Sequence, residues 1–143
     1  KEKKQGWTLL FNGKDFTGWR QCNSTGMASN WVIEDEAMKV FTAPGKKPGH
    51  GAGGDILYKE KKFKNFELSV DWKTSKMGNS GIFYYVREVQ YTLWSKEWDD
   101  MVANSKFKDF QGFQEGISHE GYIGLQDHGY PIWFRNIKIR ELK

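Results

Sequence analysis

A single cysteine, Cys22, stands in a chain of 143 residues. No internal disulfide can therefore staple the fold, and packing has to hold it together. The same count leaves the redox compartment open. No run approaches the roughly 18 consecutive apolar residues of a membrane span. The first residues, "KEKKQGW", carry no apolar signal core, so any targeting segment is expected to have been removed already. A basic stripe is missing too. The net charge is +4, yet the lysines are scattered among acids, with Lys1, Lys3 and Lys4 at the terminus, Lys46 and Lys47 in a loop, and Lys59, Lys61, Lys62 and Lys64 around a turn. Nucleic-acid modules need a clustered footprint and a signature, and neither occurs. The lysines read as a solvated surface, and no nucleic-acid partner is expected. Cys-x-x-Cys, His-Glu-x-x-His and calcium-loop patterns are all absent. Spacing thus assigns no metal site, and a divalent metal or any other cofactor stays unknown, as does the oligomeric state.

What is present is aromatic. Phe, Trp and Tyr make up 16% of the chain, with seven Trp, beside 28% charged residues. That mixture belongs to a folded protein, because disordered chains lack the large apolar groups that offset chain entropy. The length suits one domain over residues 1–143. The local pattern is short alternating segments punctuated by turn residues: "WTLLF" before Asn12-Gly13, then "WVIED" and "AMKVF" flanking Glu36 as a hairpin. The stretch "TAPGKKPGHGAGGD" holds five of the sixteen glycines and two of the three prolines, which marks a functional or mobile loop. A phosphate cradle would need a helix directly after it, whereas "ILYKE" reads as strand.

Two central strands have clear faces. In "NFELSVDWKTS", Phe66, Leu68, Val70 and Trp72 alternate with Glu67, Ser69, Asp71 and Lys73. In "GNSGIFYYVRE", Ile82, Tyr84 and Val86 oppose Phe83, Tyr85 and Arg87. The second set reads either as another buried layer or as a sugar-binding groove, where rings stack on pyranose C–H faces and a guanidinium bonds hydroxyls. One short helix is expected in "SKEWDDMVANSKF", capped by Ser95, with Trp98, Met101 and Val102 on one face. Many short strands and one helix predict an all-β sandwich or jelly roll of two antiparallel sheets. Phe66, Leu68, Val70, Trp72, Ile82, Val86, Ile123, Leu125, Ile137 and Ile139 should lie largely buried, with a bulge in "WFRNIKIREL".

Three blocks, "GWTLLFNGKDFTGWR", "GGDILYKEKKFKNFELSVDWKTSKMGNSGIFYYV" and "YIGLQDHGYPIWFRNIKIREL", resemble the beginning, middle and end of the bacterial 3-keto-disaccharide hydrolase domain family. The resemblance implies a concanavalin-like jelly roll with a groove on its concave side and a carbohydrate substrate. It also implies a periplasmic, secreted or cell-surface location in a bacterium. One departure stands out. Family members carry further strands between the "NSGIFY" strand and the helix, where "FYYVREVQYTLWSKEW" here runs straight through. Ile82 to Trp94 also lacks Gly, Pro, Asn, Asp and Ser, at about twice the typical strand of five to six residues. The expectation is a junction near Gln90 and Tyr91, between about 89 and 92, across which a segment of a longer protein is missing.

The histidines are His50, His119 and His128. In "GYIGLQDHG", Ile123 and Leu125 point to the core while Gly124, Gln126 and His128 face away. Asp127, His128 and Gly129 alternatively form only a turn, but a turn needs Asp and Gly and has no use for Gln or His. A glycosidase pair places two carboxyls about 5 to 9.5 Å apart, whereas Glu67 and Asp71 lie roughly 13 Å apart along one strand. The substrate that the family resemblance implies suggests another route. A ketone at C3 acidifies the C2 proton, whose removal gives an enolate able to expel the group at C1, after which water adds. His128 is the candidate base, with Asp71 to orient or replace it. Arg87, Gln126 and Asn79 are candidate donors, and Phe83 and Tyr85 the stacking platform. Two other classes remain, a noncatalytic lectin-like carbohydrate-binding module and a structural domain whose aromatics are only core.

Overall fold

In a computed structural model, the structure describes residues 5–50, 54–86 and 120–143. Their elements are nine strands: β1 (Trp7–Leu9), β2 (Trp19–Gln21), β3 (Trp31–Glu34), β4 (Ala37–Val40), β5 (Ile56–Tyr58), β6 (Phe66–Thr74), β7 (Ile82–Val86), β8 (Tyr122–Leu125) and β9 (Ile132–Glu141). They form two antiparallel sheets, the jelly-roll sandwich expected. In the first sheet β9 is the spine. One of its edges takes β1 along the C-terminal half and β4, followed by β3, along the N-terminal half, while β6 pairs along the other edge. The second sheet runs β2-β5-β8-β7. The predicted helix, His119 and the Gln90–Tyr91 junction fall on residues outside those described.

Between the sheets lie Leu10, Phe11, Trp19, Trp31, Met38, Val40, Ile56, Phe63, Ile123, Leu125, Ile132, Phe134, Ile137 and Ile139. Both buried indoles have partners. Trp19 Nε1 donates to the Leu10 carbonyl at 2.7 Å and Trp31 Nε1 to the Gly54 carbonyl at 2.6 Å, so their large apolar bodies enter the core without stranding a donor. The bulge in β9 is present. Phe134 and Ile137 are both buried although three residues apart. The register shifts between Ser69 and Asp71, and Asn136 adopts φ +50°. The extra residue turns Ile137 and Ile139 back toward the core that Ile132 and Phe134 already face.

Two expected core residues differ. Trp72 pairs with the buried Phe134 yet is 65% exposed. Alternation assigns it the core face, but burial also requires the opposite layer to extend over it. Val86 does not continue the Ile82 face. A register shift between Phe83 and Val86 places Val86 opposite Tyr122, and its Cγ2 lies 3.4 Å from where a Cβ on Gly124 would stand. The bulge therefore moves Val86 to the side away from the core. Phe66, Leu68, Val70 and Ile82 pack partly buried against the core.

Candidate active site

The site is built on the second sheet, on the face turned away from the core. Ile56 pairs with Leu125, and Leu125 with Ile82, all core-facing. Alternation then sends Leu57, Gly124 and Phe83, one register step along, to the opposite side. Leu57 is 1% exposed but stands outside the core cluster, so this second face has its own dry floor. Phe83 is 37% exposed above it. A Cβ on Gly124 would meet the Ile56 carbonyl oxygen at 3.2 Å, Val86 Cγ2 at 3.4 Å and the Phe83 Cβ at 3.5 Å, so glycine lets Val86 and Phe83 pack down on this strand. Gln126 extends this face. Its backbone N–H donates to the Gly81 carbonyl at 2.9 Å, and its Oε1 lies 3.2 Å from a Cβ placed on Gly81. On the other flank, the same register sets Asp55 opposite Gln126.

Beyond Gln126 the chain is pinned by Asp127, which is buried. Its Oδ2 accepts from Asn30 Nδ2 at 2.8 Å and from the Gly54 N–H at 3.3 Å, and its Oδ1 accepts from the Gly129 N–H at 2.9 Å. Its own N–H donates to Asp55 Oδ1 at 2.7 Å. Asp127 thus makes the turn that Asp and Gly were expected to make and ties three loops together. Gly129 has φ +76°, and a Cβ there would meet the His50 backbone at 3.0 Å. Thr42 Oγ1 donates to the Gly129 carbonyl at 2.8 Å. The glycine-rich loop is therefore docked through residues 42–50 against the turn that follows His128.

His128 is half-buried, and its Nδ1 is a buried atom with no hydrogen-bond partner among the described residues. Such atoms are uncommon in folded proteins. Asp55 is its electrostatic neighbour. Burial pushes the Asp55 carboxyl above the ordinary aspartate range and the Asp127 charge adds to this, while the N–H of Asp127 and the charge of His128 pull the other way.

The candidate residues separate. Gln126 and Phe83 share this face, and His128 follows two residues after Gln126, within electrostatic reach of Asp55. Asn79 is exposed in the β6–β7 loop, lining an opening of about 340 Å³ with Ile82, Ile132 and Phe134. Asp71 belongs to the other sheet, where its Oδ2 accepts from Asn136 Nδ2 at 2.6 Å and lies 3.8 Å from Arg135 Nε. There it lines a groove of about 550 Å³ with Glu34, Lys73, Trp133 and Arg135. Its partners are not those of His128. Glu67, the other acid on that strand, accepts from Arg140 Nε at 2.6 Å. Arg87 and the Tyr85 side chain lie outside the described residues. Asp55 is the residue that sequence reasoning missed. It closes a glycine-rich loop, and only the pairing of β5 with β8 sets it beside Gln126. Among the described residues no group of three or more His, Cys, Asp or Glu could hold a metal ion.

A jelly-roll sheet face carrying an aromatic, an amide, a carboxyl and an unpartnered imidazole has the components of a carbohydrate site. The chain belongs to the 3-keto-alpha-glucoside-1,2-lyase-like domain family, whose sequence profile matches residues 6–111 and 89–140. It is 28% identical to a protein of Bacteroides thetaiotaomicron named 3-keto-disaccharide hydrolase, a match covering 96% of this chain and 79% of that protein. That match runs over 229 positions, more than the 143 residues here, so the relative carries residues within the matched span that this chain lacks. A crystal structure from Parabacteroides distasonis, of a protein provisionally called a glycosyl hydrolase, superposes with a TM-score of 0.70 at 24% identity, covering 99% of this chain and 96% of the other. It has the same fold.

Proposed function

We propose that the protein is a glycoside-cleaving enzyme acting on 3-keto-disaccharides or related 3-keto-glycosides, by elimination of the C1 substituent followed by hydration. What carries the reading is His128, a half-buried imidazole three residues beyond β8 whose Nδ1 has no partner among the described residues. The family membership and the name of the Bacteroides thetaiotaomicron relative support the substrate class.

In this reading the partly exposed ring of Phe83 stacks against the sugar ring. His128 takes the C2 proton. The electron pair left behind flows toward the C3 carbonyl, and the side-chain amide of Gln126, with Arg87 as a further donor, stabilises the enolate oxygen, while Asn79, set apart in the β6–β7 loop, takes no part. Asp71 is not needed as base, because its carboxylate is engaged by Asn136 and Arg135 on the other sheet. The reading carries with it a location outside the bacterial cytoplasm, in the periplasm or beyond.

The test is incubation with a 3-keto-disaccharide and, separately, with its unoxidised parent, following released sugars, with and without a chelator. Cleavage confined to the keto-sugar is the expected result. Binding without turnover would identify a lectin-like module, and absence of binding a structural domain.

A further inference from the structure

We propose that Asp55 is the acid that protonates the departing glycosidic oxygen while His128 removes the C2 proton. This rests on the keto-sugar reading above and adds a second catalytic residue to it. The starting observation is position. Asp55 immediately precedes β5, and the register of Ile56 with Leu125, carried one residue further, sets it across from Gln126 toward the face that bears Phe83 and Gly124. Its Oδ1 is held by the Asp127 N–H at 2.7 Å, one residue before His128, while Oδ2 has no hydrogen-bond partner among the described residues. In the substrate, C2 and the oxygen on C1 are separated by one carbon. An acid and a base serving them must therefore lie near one another, and Asp55 and His128 are close enough for the charge of His128 to act on the Asp55 carboxyl.

The chemistry balances without a further reactant. His128 accepts the C2 proton. The C2–H electron pair forms the enolate, whose collapse makes the C1–C2 double bond and breaks the C1–O bond, and the leaving oxygen takes the proton of Asp55. One neutral pair, imidazole and carboxylic acid, becomes one ion pair, imidazolium and carboxylate. For hydration the Asp55 carboxylate takes a proton from water as its oxygen adds to C1, and the imidazolium returns a proton to C2.

The electrostatics favour that order of events. Burial holds Asp55 toward its protonated form before reaction, and positive charge on His128 lowers its hold on that proton. Proton uptake at His128 thus promotes proton release from Asp55. The charged and titratable neighbours are Asp127 and His128 after β8, and Arg20 and Cys22 on the β2 side. The guanidinium of Arg20 donates to the Gln21 carbonyl at 3.2 Å and the Ser24 carbonyl at 3.1 Å. The carboxyl helps to hold the turn through the Asp127 N–H. Asp55→Asn retains an acceptor oxygen for the Asp127 N–H.

The experiment compares two 3-keto-glucosides, one with a 4-nitrophenyl leaving group, which departs without a proton, and one with an alkyl or sugar leaving group, which does not. In Asp55→Asn, cleavage of the second should fall by at least about 100-fold while the first changes only several-fold. Exchange of the C2 proton with solvent should persist. In His128→Ala both cleavages and the exchange should be lost. An equal fall on both substrates would overturn the acid role and leave Asp55 a positioning residue. Should Asp55→Asn not fold, the wild-type protein supplies the measurement. Its rate should depend little on leaving-group acidity across a series of aryl and alkyl 3-keto-glucosides, and a steep dependence would overturn the proposal. Failure of the wild-type protein to cleave any 3-keto-glucoside would instead overturn the underlying reading.

Discussion

Asp127 and His128 are neighbours in the chain with opposite duties. The carboxylate of Asp127 accepts three N–H groups in a dry setting, so Asp127→Ala leaves buried donors unsatisfied and should cost about 3 kcal/mol or more in a urea unfolding measurement. Removing the unpartnered imidazole strands nothing, and His128→Ala should cost less than about 1 kcal/mol while turnover falls at least about 100-fold. Equal losses of stability would reduce the whole turn to a structural device. Asp55 gives a pH signature. Its folded pKa is raised, so the folded state holds its proton more tightly than the unfolded chain does. The resulting stability is complete below the ordinary aspartate pKa of about 4 and is lost as pH rises through the folded value. The melting temperature of Asp55→Asn relative to wild type should therefore climb between pH 4 and 7. A difference that stays flat or falls would show that the carboxyl is not buried against its charge. Asp127 and Gly129 were legible as turn formers because an Asp side chain bonds the backbone two residues on. Asp55 was not legible, since its meaning depends on which strand β5 pairs with.

At the scale of elements, alternation recovered the strands and their faces wherever pairing is regular. It failed at Val86, where the β7 bulge reverses parity, and at Trp72, where the face is right but the side chain is 65% exposed. The bulge in β9 could be anticipated because Phe134 and Ile137 cannot share a face at a spacing of three unless a residue is inserted, and Asn tolerates the left-handed backbone required at position 136. The β3–β4 hairpin holds a local cost. Asp35 and Glu36 both have positive φ, +50° and +59°, the arrangement that a tight hairpin turn demands and that glycine fills best. Left-handed backbone costs a non-glycine residue roughly 1–2 kcal/mol, partly offset by glycine's greater freedom when unfolded. Glu36→Gly should therefore stabilise by about 0.5–1 kcal/mol, read as a rise in melting temperature. A fall would mean that the glutamate makes a compensating contact.

For the molecule as a whole, the two sheets divide the work. The first carries paired charges on its outer face, where Glu34 accepts from Trp133 Nε1 at 2.6 Å and Lys39 Nζ at 2.8 Å, and where Asp71 and Glu67 are held by Arg135 and Arg140. The second offers a floor of Leu57 and Gly124, the ring of Phe83, and the polar groups of Gln126, Asp55 and His128. Ordinary displacement at a glycosidic carbon wants two carboxyls set across the bond, and of the Asp55 and Asp127 carboxyls among the described residues here, that of Asp127 is taken up by Asn30, Gly54 and Gly129. Proton abstraction next to a ketone wants one base and nearby donors, the roles proposed for His128 and Gln126. The measurement that tests this most directly is the rate of cleavage of a 3-keto-glucoside carrying deuterium at C2, with the label followed in recovered substrate and product. The account predicts a primary isotope effect, loss of deuterium to solvent, and almost no cleavage of the parent sugar bearing a C3 hydroxyl. Efficient cleavage of the parent, with no isotope effect at C2, would contradict it.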